Sequence, residues 1–179
     1  MFFVDAAHFV VGSFLGWLWC AARFFVRAAS GRQRYNVLGA WNATTQELIR
    51  VTNHTYVTAE TVCELLRKIA ALGLGVPITL VLDNARYQHC ELVQSLARTL
   101  QIELLFLPSY SPNLNLIERL WKFIKKKSLH CRHHTNYADF HAAIDLCLDQ
   151  VATEHKHELS SLMTLNFQTF QNVSLLPTA

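Results

Sequence analysis

The sequence predicts an α/β domain on a mixed central sheet, with antiparallel strands first, parallel strands afterwards, and helices flanking them. Three observations carry this. Two short apolar runs, "FFVDAAHFVV" and "ITLVLDN", are rich in aromatic and β-branched residues, as strands covered on both faces are. A turn signal, "NATTQ", joins two strand-like segments into a hairpin. From residue 58 onward, stretches of helical and strand character alternate, as parallel strands linked by crossovers require.

Taken in order, residues 2–11 form a buried strand and 12–16 a turn. A second strand is possible at 23–28, and "SGRQ" at 30–33 is another turn. Strands at 35–42 and 47–52 make the hairpin. A helix over 58–72 is capped by Thr58, has Thr61 on its first turn and closes at "GLG". Pro77 introduces the most continuously apolar strand, which the pattern places centrally and parallel. Residues 88–100 fit a helix with Leu92, Val93, Leu96 and Leu100 on one face. A strand at 102–107 ends at Pro108, and "SYSPNLN" is a loop. An amphipathic helix runs from 114 or 115 to 129 and another from 137 to 151. The β-β-β-α-β-α-β-α order is that of the RNase-H-like fold, in which the first strand and the next parallel strand are neighbours at the sheet centre. Residues 1–130 are expected to form this domain, with 131–179 as its C-terminal helical extension.

With 51% apolar and 16% charged residues, the chain has a globular composition and not that of a disordered segment. Its net charge of +3 says little about partners, but the distribution says more. No acid occurs between Ala6 and Gln46, where Arg23, Arg27, Arg32 and Arg34 lie. None occurs from Arg119 to His134, which holds Arg119, Lys122, Lys125, Lys126, Lys127 and Arg132. Each stretch follows a candidate catalytic acid, as a polyanion-binding cleft beside a metal site requires.

Five scattered cysteines with no CxxC pair favour a reducing, cytoplasmic setting over a disulfide framework. The "HCRHH" cluster at 130–134 has no second ligand pair at zinc-finger spacing, so a histidine-rich loop is the plainer reading. The apolar N-terminal run spans only residues 9–22 without charge. A bilayer needs about twenty residues, so a core strand is expected and not a membrane segment.

Three acids stand out. Asp5 lies in the first apolar run, Asp83 ends the second, and Glu118 opens the basic helix after thirty-four intervening residues. Three such carboxylates can hold two divalent cations against a phosphodiester. Each has a plainer explanation when read alone. Asp5 could be a polar residue at a strand end, Asp83 a cap for the following helix, and Glu118 a surface partner of Lys122 at i+4. Asn84 and Asn115 could steady the carboxylates or serve turns, and His8 and His89 are more plainly packed than ligating. Trp17, Trp19 and Trp41 fit the core, while Trp121 fits an anchor between helix and sheet.

With these residues in place, the chain resembles the DDE transposases of the mariner superfamily, bacterial insertion-sequence type. The matching stretches are "FVDAAHF", "VLGAWN", "LVLDNARYQH" and "LLFLPSYSPNLNLIERLWKFIKK", in that order and over residues 2–129. The resemblance implies a catalytic triad of Asp5, Asp83 and Glu118 holding two Mg²⁺ (or Mn²⁺) ions. It implies cleavage of DNA at element ends and strand transfer into target DNA. Arg119, Lys122, Lys125, Lys126 and Lys127 are the expected DNA contacts, in a nucleoid-associated protein that dimerises or joins a separate DNA-binding part. Two departures stand out: relatives often carry an acid where this chain has Ala6, and a proline where it has Leu116. Relatives also carry helix-turn-helix modules ahead of this region, so the chain is expected to be the catalytic half of a split element or a truncated remnant. A non-catalytic inhibitory subunit and a stand-alone RNase-H-like nuclease are the alternatives.

Overall fold

A computed structural model of the chain describes residues 1–11, 33–109 and 111–167. The turn at 12–16, the possible strand at 23–28, Trp17, Trp19 and the end of the C-terminal tail lie outside the described residues, as does most of the turn at 30–33. The strands are β1 (Phe2–Val10), β2 (Arg34–Asn42), β3 (Leu48–Asn53), β4 (Ile78–Leu82) and β5 (Ile102–Phe106). The helices are α1 (Ala59–Ala70), α2 (Glu91–Thr99), α3 (Ile117–Ser128), α4 (Tyr137–Asp149) and α5 (Lys156–Leu162), with 3₁₀ turns at Pro112–Leu114 and Gln150–Ala152.

The five strands lie in the order β3-β2-β1-β4-β5. β1, β2 and β3 pair antiparallel, while β4 runs parallel to β1 and β5 parallel to β4. This is the mixed sheet expected of the RNase-H-like fold. β1 is central and pairs with β2 over its whole length, from Phe2↔Asn42 to Val10↔Arg34.

Alternation along the strands divides the core in two. Phe2, Val4, Leu38, Ala40, Leu80 and Leu82 pack with Val62, Leu65, Leu66 and Ile69 of α1 and with Val93 and Ala97 of α2. Phe3, Ala7, Phe9, Val37, Trp41 and Val81 pack with Ile117, Leu120, Trp121 and Ile124 of α3 and with Phe140, Ile144 and Leu148 of α4. Leu159 of α5 and Met163 belong to the second cluster, so the region after residue 131 shares a core with the sheet. Asp5 has the parity of Phe3 and Ala7 and therefore points to the α3 side. Among the described residues, no helix is long and apolar enough to cross a membrane.

Three element ends differ from expectation. α2 begins at Glu91 with Cys90 as N-cap, not at Gln88, because residues 84–89 close on themselves: His89 Nε2 meets Asn84 Oδ1 at 2.8 Å. Val93 is buried and Leu96 and Leu100 pack against the core as expected, Ala97 is buried with them, and Leu92 is exposed. α3 starts at Ile117 after a 3₁₀ turn, since Asn115 is held to the sheet and cannot join the helix. α5 was not anticipated; its sequence is polar apart from Leu159 and Leu162, and only tertiary packing of Leu159 makes it legible.

Gly39 sits opposite Asp5 in the β1–β2 ladder. A Cβ there would lie 2.6 Å from Trp121 Cη2 and 2.9 Å from Cζ2, inside contact distance. The missing side chain thus lets the benzo ring of the indole come up against the sheet, a close approach of the kind that glycine within a strand marks. Replacing Gly39 with alanine should therefore lower stability by about 1–3 kcal/mol, the usual cost of overpacking. Urea melts of parent and Gly39→Ala measure this, and an unchanged midpoint would contradict the close contact.

Candidate active site

Parallel pairing of β1 and β4 brings the first two acids side by side. Phe3 is level with Val81, and Asp5 and Asp83 each lie two residues further along. Asp83 follows the last residue of β4, at the carboxyl end of a parallel strand where α/β sheets open to ligands. It does not cap α2, whose N-cap is Cys90. Glu118 occupies the first turn of α3, where the helix dipole favours a negative charge. All three acids line one cavity of about 420 Å³, together with Asn84, Ser109, Ser111 and Asn115.

Two contacts fix the geometry. Trp121, one turn after Glu118, donates from Nε1 to Asp5 Oδ2 at 3.0 Å. Asn115, buried at the head of α3, donates from Nδ2 to the Val4 carbonyl at 3.0 Å. These two bonds straddle Asp5 and tie the start of α3 to β1. The helix start itself has no side-chain cap. Leu116 stands at the N-cap position with φ −58°, a value a proline would satisfy, but contributes a fully buried side chain to the core instead.

The charges crowd one another. The Asp5 carboxyl is pushed up to about 7, first by burial, then by Glu118 and more weakly by Asp83, against hydrogen bonds from the Ala6 backbone and Trp121. Asp83 Oδ1 and Asn115 Oδ1 are buried with no hydrogen-bond donor among the described residues. Unmet acceptor oxygens beside a proton-retaining carboxyl suit a hard divalent cation, which would satisfy the oxygens and displace the proton. No group of three His, Cys, Asp or Glu among the described residues is arranged to hold an ion unaided. The acids surround an open space, which fits ions that keep several waters as ligands.

Other residues considered from the sequence have other partners. His8 lies on the opposite face of β1 from Asp5 and meets Asn36 Oδ1 at 2.7 Å. His89 stacks on Phe106 with ring centroids 3.7 Å apart, and Asn84 also donates to the Leu107 carbonyl, so both brace the loop after Asp83. Trp41 is in the core, as expected. In the histidine-rich loop, His134 Nε2 meets the Ser128 carbonyl and Cys131 Sγ meets His130 Nδ1.

The basic residues of α3 divide by partner. Lys122 and Lys126 are exposed, and exposed Lys125 reaches across to β1 with Nζ 5.9 Å from the Phe9 ring centroid. Lys127 pairs with Glu158 at 2.7 Å. Arg119 turns to the C-terminal segment. Its guanidinium donates to the carbonyls of Leu162 (3.0 Å), Thr164 (2.8 Å) and Asn166 (2.7 Å) and lies over the Phe167 ring. Sequence reasoning gave Trp121 only an anchoring role and assigned none to Gly39. A lone glycine inside a buried strand that also carries Tyr35, Val37 and Trp41 was the available signal.

A carboxylate pair on adjacent parallel strands, completed by an acid from a helix packed on the sheet, defines a nuclease-type α/β domain. Residues 22–141 match the DDE superfamily endonuclease family, and the chain belongs to that family. The match includes Asp83 and Glu118; Asp5 precedes it and is brought in by the β1–β4 pairing. Among solved structures, the chain is similar to the Mos1 transposase paired-end complex with left transposon end. That likeness has 15% identity and a TM-score of 0.63, over 90% of this chain and 52% of that one. The Mos1 mariner paired-end complex with Mn gives 15% and 0.63, over 90% and 53%. The catalytic domain of Mos1 mariner transposase gives 16% and 0.56, over 89% and 78%. At these identities the likeness shows the fold. The chain spans about half the length of the Mos1 transposase chains in the paired-end complexes. No curated protein is significantly similar to it in sequence.

Two measurements follow from the charges. Folded Asp5 holds its proton up to pH about 7, against 3.8 for an ordinary aspartate. The folded state therefore binds more protons between those values, and the stability this gives is present below about pH 4 and lost as pH rises through 7. In metal-free urea melts, the stability difference between parent and Asp5→Asn should fall with rising pH by at most about 1.4 kcal/mol per unit. A flat difference would contradict the raised value. Arg119→Ala should cost about 1–3 kcal/mol, as a charged donor with several acceptors does, and speed amide exchange at residues 162–166 before other regions. Unchanged exchange there would show that the clamp holds nothing.

Proposed function

We propose that this chain is the catalytic domain of an insertion-sequence transposase, cutting DNA at element ends and transferring the strand to target DNA by in-line phosphodiester displacement. The observation that carries the reading is the convergence of Asp5, Asp83 and Glu118, from three separate elements, on one cavity. Two Mg²⁺ or Mn²⁺ ions held by these acids would activate the attacking hydroxyl and neutralise the leaving oxygen.

The chain's own residues set the conditions. Trp121 fixes the rotamer of Asp5 and occupies one of its oxygens, leaving the other toward the cavity. Asn115 holds β1 against the head of α3, so that the Glu118 carboxylate keeps its distance from Asp5. Asn84 and His89 brace the loop that carries Asp83. The hydroxyls of Ser109 and Ser111 stand at the cavity wall, where they can donate to a phosphate oxygen. Lys122, Lys125 and Lys126 present exposed cations on the helix that carries Glu118, as contacts to DNA phosphates that set register and not sequence. Lys127 and Arg119, already engaged with the chain, contribute to the local field. Synapsis of two ends calls for a homodimer or a separate DNA-binding part, acting in the cytoplasm on nucleoid DNA. The solved complexes of Mos1 with transposon ends support the reading.

Calorimetric titration with Mn²⁺ tests the site. Asp83→Ala and Glu118→Ala should each weaken binding by at least about tenfold and lower DNA cleavage by about two orders of magnitude or more, with melting curves close to the parent's. Variants that bind the ion and cut as well as the parent would sink the proposal.

A further inference from the structure

The far end of the β1–β2–β3 sheet carries an ordered aromatic and basic surface that the three-acid site does not use. Tyr56 is 69% exposed, and the Arg34 guanidinium lies 5.4 Å over its ring. The loop behind it is held firmly. Asn36, buried within β2, donates to both Asn53 Oδ1 (2.8 Å) and the Thr55 carbonyl (3.0 Å). Asn53 in turn donates to the Tyr56 carbonyl at 3.0 Å and accepts from the Thr55 backbone N–H at 3.2 Å. A buried asparagine and four hydrogen bonds therefore fix a backbone from which the Tyr56 side chain stands in solvent. Beside it, His54 and Tyr137 complete an open groove of about 520 Å³ with no acid in its lining. His54 Nδ1 meets the Tyr137 hydroxyl, which donates to the Arg34 carbonyl at 2.7 Å, so the groove walls are braced as well.

The groove lies further along the same strand pair as the three acids, at the end of the sheet, where Arg34 leaves by the face opposite Asp5. Gly39 is opposite Asp5, and Arg34 is opposite Val10, five residues away along β2 (39 minus 34). At about 3.4 Å per strand residue this is roughly 17 Å along the sheet, the length of about five stacked nucleotides at 3.4 Å each, before the turn round the sheet end. α3 runs the same way, since Glu118 faces Asp5 while Lys125, seven residues on, reaches Phe9. The Phe9 partner Tyr35 has its ring 5.3 Å from His54. The exposed lysines of α3 thus run on the cavity face toward the end of the sheet where the groove opens.

We propose that the Arg34–Tyr56 platform binds single-stranded DNA that continues round the sheet end, at least about five nucleotides beyond the phosphate at the three-acid site. An exposed tyrosine offers a stacking face to any unpaired base, and Arg34 supplies charge for the adjoining phosphate. A paired base presents no such face, so the partner is an unpaired flank and not continuous duplex. The inference rests on the proposed DNA-cleaving function and extends it to the region flanking the cut.

The test is a binding and cleavage series on the full chain with Mn²⁺, using duplex substrates that carry 5′ or 3′ single-stranded flanks of none to ten nucleotides. The parent's affinity should rise by about fivefold or more once the flank of one polarity passes about five nucleotides, the lower end of what one base–aromatic stack supplies. Tyr56→Ala and Arg34→Ala should lose that rise and still bind and cut the blunt duplex as the parent does, while Tyr56→Phe keeps it. A parent that cuts blunt duplex with no length-dependent rise, or a rise that survives both alanine variants, overturns the platform alone. A parent that cuts no substrate overturns the platform together with the function it rests on.

Discussion

The hydrogen bond from Trp121 to Asp5 is the contact on which the geometry of this protein turns. It joins the first strand to the third helix across more than a hundred residues of sequence, and it exists only because Gly39 leaves space for the indole between helix and sheet. One aromatic side chain thereby does three things: it fills the core, sets the height of α3 above the sheet, and orients the most deeply placed carboxylate. Glu118 is one turn away on the same helix, so whatever sets the height of Trp121 also sets the separation of Glu118 from Asp5. Asn115 repeats the tie one residue before Asp5, through the Val4 carbonyl.

The placement of these acids works against folding. Burial and two neighbouring carboxylates raise the proton affinity of Asp5 into the neutral range, and two buried acceptor oxygens at the cavity have no donor among the described residues. A domain optimised for stability alone would have replaced such a cluster with apolar residues. The two core clusters on either side of the sheet provide the compensating burial, and the unfavourable local charge becomes a preference for cations. Strain of this kind concentrated in one cavity is what a site built for ligands looks like in energetic terms.

Much of this arrangement was legible in the sequence, for physical reasons. Strand alternation and turn chemistry identified the hairpin, and the uninterrupted apolarity of "ITLVL" marked a strand covered on both faces. The neighbouring positions of Asp5 and Asp83 followed from the strand order. The limits are equally specific. The start of α2 depends on a side-chain bond between Asn84 and His89, which helical periodicity does not encode. α5 forms because Leu159 finds a place in a core assembled from distant segments, and the engagement of Arg119 with the chain depends on a segment more than forty residues downstream. A charge run shows where cations are in the sequence but not which of them the fold consumes.

Arg119 grips the backbone at three alternate residues, Leu162, Thr164 and Asn166, by their carbonyl oxygens, and it directly follows Glu118. The chain leaving α5 is therefore coupled mechanically to the helix that carries the third acid. Tension applied to the polypeptide beyond Phe167, whether by an appended domain, a tether or a surface attachment, is delivered through one guanidinium to the first turn of α3. In that sense the C-terminal segment is a lever arm with its fulcrum beside the cavity, and the exposed loop around Gly73 and Gly75, which leads into the opposite end of β4 from Asp83, is the mechanically quiet place to hold this protein.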